Sequence, residues 1–175
     1  MSWYAIHVKT GREDIVCGEI RKQVALVGYD AEYELLVPKR QLQERRQGEF
    51  YEVTRTMFPG YVLVQSDNII NLAEVAKKGN GILRFLQSEG KFQKINPVEI
   101  MAVFELINDE GVIECSVAEV GNGVVRVVSG PLKGHEGWVR KIDMHKRRAT
   151  VAFWFSGNTH LVSLGINICS LSKTN

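Results

Sequence analysis

The sequence predicts an α+β protein in two parts, an antiparallel sheet flanked by helices followed by a small β-barrel. Up to Asn108, apolar periods of two and of 3.6 alternate in the order strand, helix, strands, helix, strand, helix. From Gly123 the apolar runs turn short and glycine-punctuated, at the spacing of a small barrel. Charge divides near the same place: from Gly121 onward eight Lys and Arg stand against two acidic residues, and before it 14 stand against 18. A basic carboxyl-terminal piece joined to an acidic larger one suggests that the smaller piece faces a polyanion.

Trp3 to Lys9 reads as the first strand, with Tyr4, Ile6 and Val8 on one face and Trp3, Ala5 and His7 on the other. Thr10 and Glu13 form a capping-box pattern, and Val16, Ile20 and Val24 then recur at helical spacing, predicting a helix over roughly Arg12 to Val27. Tyr33 to Val37 is a second strand, halted at Pro38. Lys39 to Arg46 and Glu49 to Met57 flank a Gln47-Gly48 turn, and their charge predicts a projecting hairpin rather than core. Its Lys39, Arg40, Arg45 and Arg46 fit either a solvated face or contact with nucleic acid or polymerase.

The central stretch is Met57, Phe58, Pro59, Gly60, Tyr61, Val62, Leu63, Val64, a Pro-Gly turn opening into an apolar strand. Neither of its faces is polar. Either the strand is sandwiched by its own chain, or its second face meets a docked partner. Ile69 to Lys78 is a helix stopped by Lys77, Lys78 and Gly79; Gly79-Asn80-Gly81 follows a helix without the glycine and lysine of a phosphate loop and is set aside as one. Ile82 to Leu86 reads as a last strand. Asn96, Pro97 and Glu99 then open an amphipathic helix bearing Ile100, Val103, Phe104 and Ile107.

Asp109 to Gly121 reads as a linker between a domain of residues 1–108 and one of residues 122–175. The barrel strands are expected at Gly123 to Ser129, Glu136 to Asp143, Ala149 to Phe155 and His160 to Leu164, with a terminal turn near Asn167 to Leu171. A domain this small has a thin core, so Val125, Val127, Val139, Val151, Phe153 and Leu161 are expected to fill it.

No P-loop, H-E-x-x-H or G-x-S-x-G motif is present, and the four histidines are dispersed, so neither catalytic residues nor a cofactor is expected. Cys17, Cys115 and Cys169 lack zinc spacing, and no metal site is expected. No run approaches the ~18 apolar residues of a membrane span. No leader pattern precedes Trp3, which leads us to expect a cytoplasmic protein that does not meet the membrane. What remains is two tethered binding surfaces, each raising the local concentration of its target near the other's.

Phe58-Pro59-Gly60-Tyr61-Val62 with its following apolar residue and Val64, placed after an amino-terminal Trp3-Tyr4, resembles the NusG family of transcription elongation factors. Val125, Arg126, Val127, Val128, Ser129, Gly130 and Pro131, then Gly134, Gly137, Val139 and Ile142, resemble that family's KOW segment. The resemblance implies an NGN-type first domain and an SH3-like barrel. It also implies that the first domain sits on the clamp of the largest subunit of bacterial RNA polymerase, disfavouring clamp opening and with it pausing and termination. Phe58, Tyr61 and Phe85 match the family's clamp-contacting aromatics, Trp3 its first strand, and Asn71 the place of a gate-loop contact.

The barrel's candidate RNA contacts are Lys133 and His135 after the Gly-Pro turn, Arg140 and Lys141, and the run His145, Lys146, Arg147, Arg148. Trp138 and Trp154 offer stacking faces or fill the core. Because A-form RNA keeps its major groove too narrow for side-chain reading, a structured nascent leader hairpin with a loop or bulge is the expected target. Non-template DNA is left open as a further partner, and a monomer is expected. General members of the family carry Phe-Gly-Arg-x-Thr-Pro-Val in the barrel, where this chain has Phe155, Ser156, Gly157, Asn158, Thr159, His160 and Leu161. That departure speaks against coupling to Rho or the ribosome. Together with the basic turn it makes the chain most similar to the LoaP group of operon-specific antiterminators. Two alternatives stand beside that reading: a general NusG-type elongation and pausing factor, and a KOW-type RNA- or ribosome-binding module.

Overall fold

A computed structural model describes residues 1–78, 84–121, 124–155 and 157–170. In chain order its elements are β1 (Ser2–His7), α1 (Glu13–Val27), β2 (Tyr33–Leu36), β3 (Lys39–Arg46), β4 (Glu49–Thr56), β5 (Tyr61–Ser66), α2 (Ile69–Ala76), β6 (Arg84–Phe85), β7 (Gln87–Ser88), β8 (Lys91–Phe92) and α3 (Pro97–Phe104). They continue with β9 (Val112–Ile113), β10 (Ser116–Gly121), β11 (Val124–Ser129), a 3-10 turn at Glu136–Trp138, β12 (Val139–Asp143), β13 (Arg148–Phe155) and β14 (Asn158–Ser170). The chain forms two compact units, the first from Met1–Val37 and Phe58–Ile100, the second from Pro38–Met57 and Met101–Asn175. Among the described residues no helix is long and apolar enough to cross a membrane.

In the first unit the sheet order is β2-β5-β1-β6, with β5 antiparallel to both neighbours. Ile6 lies opposite Val62 and Tyr4 opposite Val64, so these four side chains share a face. There they join Val16, Ile20 and Val24 of α1 and Leu72 and Val75 of α2 in one core. Burial of each such aliphatic side chain contributes about 1.5–3 kcal/mol. The other face of β5 is covered as well: Leu63 is fully buried and Ala5, opposite it, is buried too. At the strand's centre, then, both faces are covered, as the sandwiched reading expects.

The helices start near where the sequence puts them, but α2 ends at Ala76 and α3 at Phe104, so Ile107 lies beyond the helix it was expected on, and one cap differs. Arg12 occupies the N-cap of α1 and makes no side-chain cap bond. The Glu13 carboxylate, expected in a capping box with Thr10, is buried and instead accepts the Gly60 backbone N–H at 2.7 Å. At α2 the cap is Asn68, whose Oδ1 accepts the Asn71 N–H at 3.2 Å, and Lys77 closes the helix. Asn96 Oδ1 accepts the Val98 N–H at 2.9 Å, the N-cap expected for α3. The Gly79-Asn80-Gly81 stretch and Ile82 lie outside the described residues; of the expected Ile82–Leu86 strand, β6 covers Arg84 and Phe85.

In the second unit, Gln47 and Gly48 both adopt positive φ (51° and 93°), the tight two-residue hairpin turn that joins β3 to β4 in the expected register. The hairpin is not free along its length. Its β3 strand pairs in parallel with β9, Leu42 is buried, and the Arg40 guanidinium donates to the Ser163 carbonyl at 2.5 Å.

The remaining strands form a sheet in the order β11-β10-β14-β13-β12. Val125 and Val127 of β11 and Val139 and Ile142 of β12 line one groove, so the two edge strands curl toward each other as in a barrel. Three expectations are corrected here. The stretch 109–121, read as a linker, carries β9 and β10, and β10 pairs with β11 and β14. Its inward positions hold the small residues Ser116 and Ala118, so no apolar alternation announced it. In place of the turn expected near Asn167–Leu171, residues up to Ser170 are strand, because β14 continues to Ser170 in parallel with β10. Leu161 is 69% exposed, while Val162, paired with Val151, is buried. The phase of β14 is one residue away from the one expected. Val127, Val151 and Phe153 are buried as expected, and Val125 and Val139 are half-buried.

Strand β14 passes close beneath β3 at Gly165, where a Cβ would stand 2.5 Å from the Gln41 carbonyl oxygen and against the Cys115 sulfur. Gly165→Ala is expected to lower stability by about 1–3 kcal/mol through overpacking. Gly18, on the exposed face of α1 with open space around it, should behave oppositely, Gly18→Ala raising stability by about 0.5–1 kcal/mol. Urea denaturation of the two variants beside the parent chain checks both signs.

Candidate nucleic-acid interface and partner surface

The Pro-Gly turn is fixed at both peptide groups of Gly60. The Tyr61 N–H donates to the Phe58 carbonyl at 3.1 Å, closing a type II turn with Pro59 second and Gly60, at φ +86°, third. The Gly60 carbonyl accepts the Val8 N–H at 2.8 Å while its own N–H reaches Glu13. This frame sets Tyr61 at the end of β5, half-buried, edge-on to the exposed His7 across the strands with ring centroids 5.4 Å apart.

The expected polymerase-binding residues divide on burial. Phe58, Phe85 and Trp3 are buried, at 2%, 5% and 8% exposure, and so offer little surface to a partner as they stand. Phe85 belongs to the core and packs edge-on to Phe92. Trp3 lines a cavity of about 440 Å³ with Pro97 and Ile100. Tyr61 reaches the surface in part, and Asn71 is exposed on α2. An aromatic in sequence does not say whether it anchors a partner or fills a core, which is why the set divides. His7, on the Trp3 and Ala5 face of β1, is the exposed neighbour that the strand pairing gives Tyr61.

The basic residues of the barrel fall in separate places. Lys133 is exposed in the turn after β11. His135 is half-buried, its ring 4.4 Å from that of Trp138 and its Nδ1 3.8 Å from Glu105. Arg140 and Lys141, both exposed on β12, border the groove between the barrel's edge strands. The run from His145 forms the turn between β12 and β13, in which Asp143 Oδ1 accepts the Lys146 N–H at 2.9 Å and Arg147 adopts φ 52°. His145 and Lys146 are exposed; Arg147 and Arg148 are half-buried.

Both half-buried arginines are oriented. The Arg147 guanidinium carbon lies 3.9 Å from the centroid of the Phe50 ring on β4, and Arg148 donates to the carbonyl oxygens of Lys146 and Arg147 at 3.1 and 3.3 Å. Burial lowers the pKa of Arg148, opposed by the charges of Glu44, Cys115 and Asp143. Arg40 is lowered first by burial and then by the positive charge of Arg148. Two carboxylates answer these cations. Glu44 is held below its ordinary value first by a hydrogen bond from Arg55, and Asp143 first by the Lys146 backbone N–H. Of the two tryptophans offered for stacking, Trp154 is 59% exposed and Trp138 is half-buried.

Comparison with known proteins agrees with this architecture. The family described as "Transcription termination factor nusG" matches residues 1–104, and the KOW motif matches residues 122–151. The "Transcription termination/antitermination protein NusG" of Pseudomonas aeruginosa is 30% identical over 168 residues, covering 93% of each chain. Its counterpart in Thermus thermophilus is 29% identical over 174 residues, covering 94% of this chain and 95% of that one. A solved structure of Thermotoga maritima NusG superposes with a TM-score of 0.59 at 21% identity, covering 94% of this chain and 93% of that one, a likeness of fold. By its matched amino-terminal family region, its KOW motif and full-length relatives of the same description, the chain belongs to the NusG family of transcription termination and antitermination factors.

Proposed function

We propose that this chain is a processive antiterminator for specific long operons, a specialised paralogue of the LoaP type, that binds RNA polymerase with its amino-terminal part and a structured leader RNA with its barrel. The observation that carries this reading is the turn from His145 to Arg148. It puts two exposed basic side chains beside two arginines that are already oriented, more fixed positive charge than a solubilising turn requires. The missing arginine and proline after Phe155 support specialisation. On the polymerase side, Tyr61 with His7 is the contact we favour, with Asn71 on α2 beside a second element of the partner. Phe58, Phe85 and Trp3 support these positions from within. Bridging the polymerase clamp would disfavour its opening, and so suppress pausing and termination without any covalent step by this protein. Functionally the chain divides into residues 1–108 and a barrel that takes in β10 with residues 122–175.

A second reading has its own observation. Trp154 and Leu161 stand exposed near each other on the outer face of the β13–β14 pair, where Trp154 is opposite Thr159 and Leu161 opposite Ala152. Such a pair would suit a protein partner of a general elongation factor.

The test is transcription by purified bacterial RNA polymerase through a terminator placed behind the chain's own operon leader. Read-through should rise with the parent chain and fall to the no-protein level both for Tyr61→Ser and for the triple change of Lys146, Arg147 and Arg148 to alanine. Read-through that survives the triple change would remove the RNA assignment and favour the general factor. Survival of both variants would leave an RNA-binding module without action on polymerase.

A further inference from the structure

We propose that the β3–β4 hairpin is the second wall of the RNA site, so that the loop phosphates of the RNA are gripped between hairpin and barrel rather than by the barrel alone. This rests on the reading of the His145–Arg148 turn as an RNA contact and extends it to residues outside the KOW segment. Arg45 and Phe50 of the hairpin line a groove of about 340 Å³ together with His145, Lys146 and Arg148 of the barrel turn. Phe50 has two guanidinium groups over its ring, Arg147 at 3.9 Å and Arg45 at 5.9 Å from the centroid.

Stacking uses the face of a guanidinium and leaves its in-plane N–H groups free. The aromatic ring therefore orders the Arg147 fork without consuming its hydrogen bonds and attracts the Arg45 cation from farther off, and each fork can take phosphate oxygens edge-on. Arg45 is further fixed by donating from Nε to the Gly48 carbonyl at 3.0 Å. Around the groove, Arg45, Arg46, His145 and Lys146 are exposed. The hairpin carboxylate that lines the groove, Glu44, is already engaged by Arg55 at 2.9 Å and Arg46 at 3.4 Å. By count, Arg45, Arg46, Lys146 and Arg148 outnumber Glu44 and Asp143 around the groove. Besides Glu44, the hairpin meets the turn with an aromatic ring and further arginines.

The probe is a fluorescein-labelled RNA stem-loop with a uridine-rich loop, titrated with the full chain at two salt concentrations. Arg45→Ala should weaken binding roughly three- to tenfold and make the log–log salt dependence shallower by about 0.7–0.9, one phosphate's share. Phe50→Ala should weaken binding by a similar factor with the salt dependence unchanged, since it removes order and not charge, and Phe50→Tyr should restore it. If Arg45→Ala and Phe50→Ala bind as the parent does while Lys146→Ala is weakened, the hairpin is no part of the site and the barrel reading stands alone. Tighter binding by Phe50→Ala would make the hairpin a shield and overturn the proposal. Indifference of Lys146→Ala as well would defeat the barrel reading beneath it. Arg45 is exposed, so its replacement leaves the fold intact and keeps the test open even if Phe50→Ala unfolds.

Discussion

Gly60→Ala is expected to destabilise the first unit by about 2–4 kcal/mol, a large share of the 5–15 kcal/mol that holds a typical domain. Two effects combine. Gly60 sits at φ +86°, where an L side chain is strained, and an added Cβ would stand 3.2 Å from Thr10 Oγ1 and 3.3 Å from the Val8 carbonyl oxygen. The same turn depends on Glu13, whose loss leaves a buried backbone N–H without its acceptor, so Glu13→Ala should cost about 1–3 kcal/mol and Glu13→Gln, which keeps an acceptor, less. Because both act on one peptide group, the double variant should fall short of the sum. Urea titration followed by tryptophan fluorescence reads these differences. The functional consequence is selective: displacing Tyr61 should weaken association with polymerase while RNA binding through the second unit persists.

The other large effect lies in the basic turn. Changing Lys146, Arg147 and Arg148 together to alanine is expected to reduce affinity for leader RNA about 100-fold, near 3 kcal/mol over three phosphate contacts. Salt dependence distinguishes lost charge from lost fold. The log–log slope should become shallower by about 2–3, whereas a variant that is partly unfolded loses active protein and keeps its slope. Fluorescence anisotropy at several salt concentrations gives both quantities in one experiment.

Much of this architecture was legible in the sequence, and the exceptions share causes. Apolar periodicity announced β1, α1, β5 and α2 because each buries a face in one core, and α3 because Ile100 and Val103 are buried. The Gln47-Gly48 turn announced the β3–β4 hairpin because only that geometry closes a two-residue loop. By contrast, β10 was hidden, since its buried positions are Ser116 and Ala118, small residues without an apolar signal. Leu161 and Val162 are adjacent and both apolar, so the phase of β14 was undetermined until its pairing with β13 fixed it.

The candidate site was legible in part, for a different reason. The run His145 to Arg148 is local in sequence and could be read directly. Its aromatic neighbour Phe50 lies nearly a hundred positions earlier, and only the pairing of β3 with the rest of the second unit brings them together. Glu13 misled because a carboxylate three residues after a threonine satisfies the capping pattern, and nothing local reveals that a distant Gly60 N–H competes for it. For the aromatics Phe58, Phe85 and Trp3 the sequence left burial open, since affinity for a partner and affinity for a core draw on the same side chains.

The most direct test is to present the full chain with a pool of transcribed leader hairpins from its host genome, at low and at physiological salt, and sequence what is retained. Enrichment of one hairpin, with affinity falling steeply as salt rises and lost in the triple variant, is the result expected of an operon-specific antiterminator anchored by phosphate contacts. Uniform weak retention across the pool would contradict that account and leave the barrel to a protein partner.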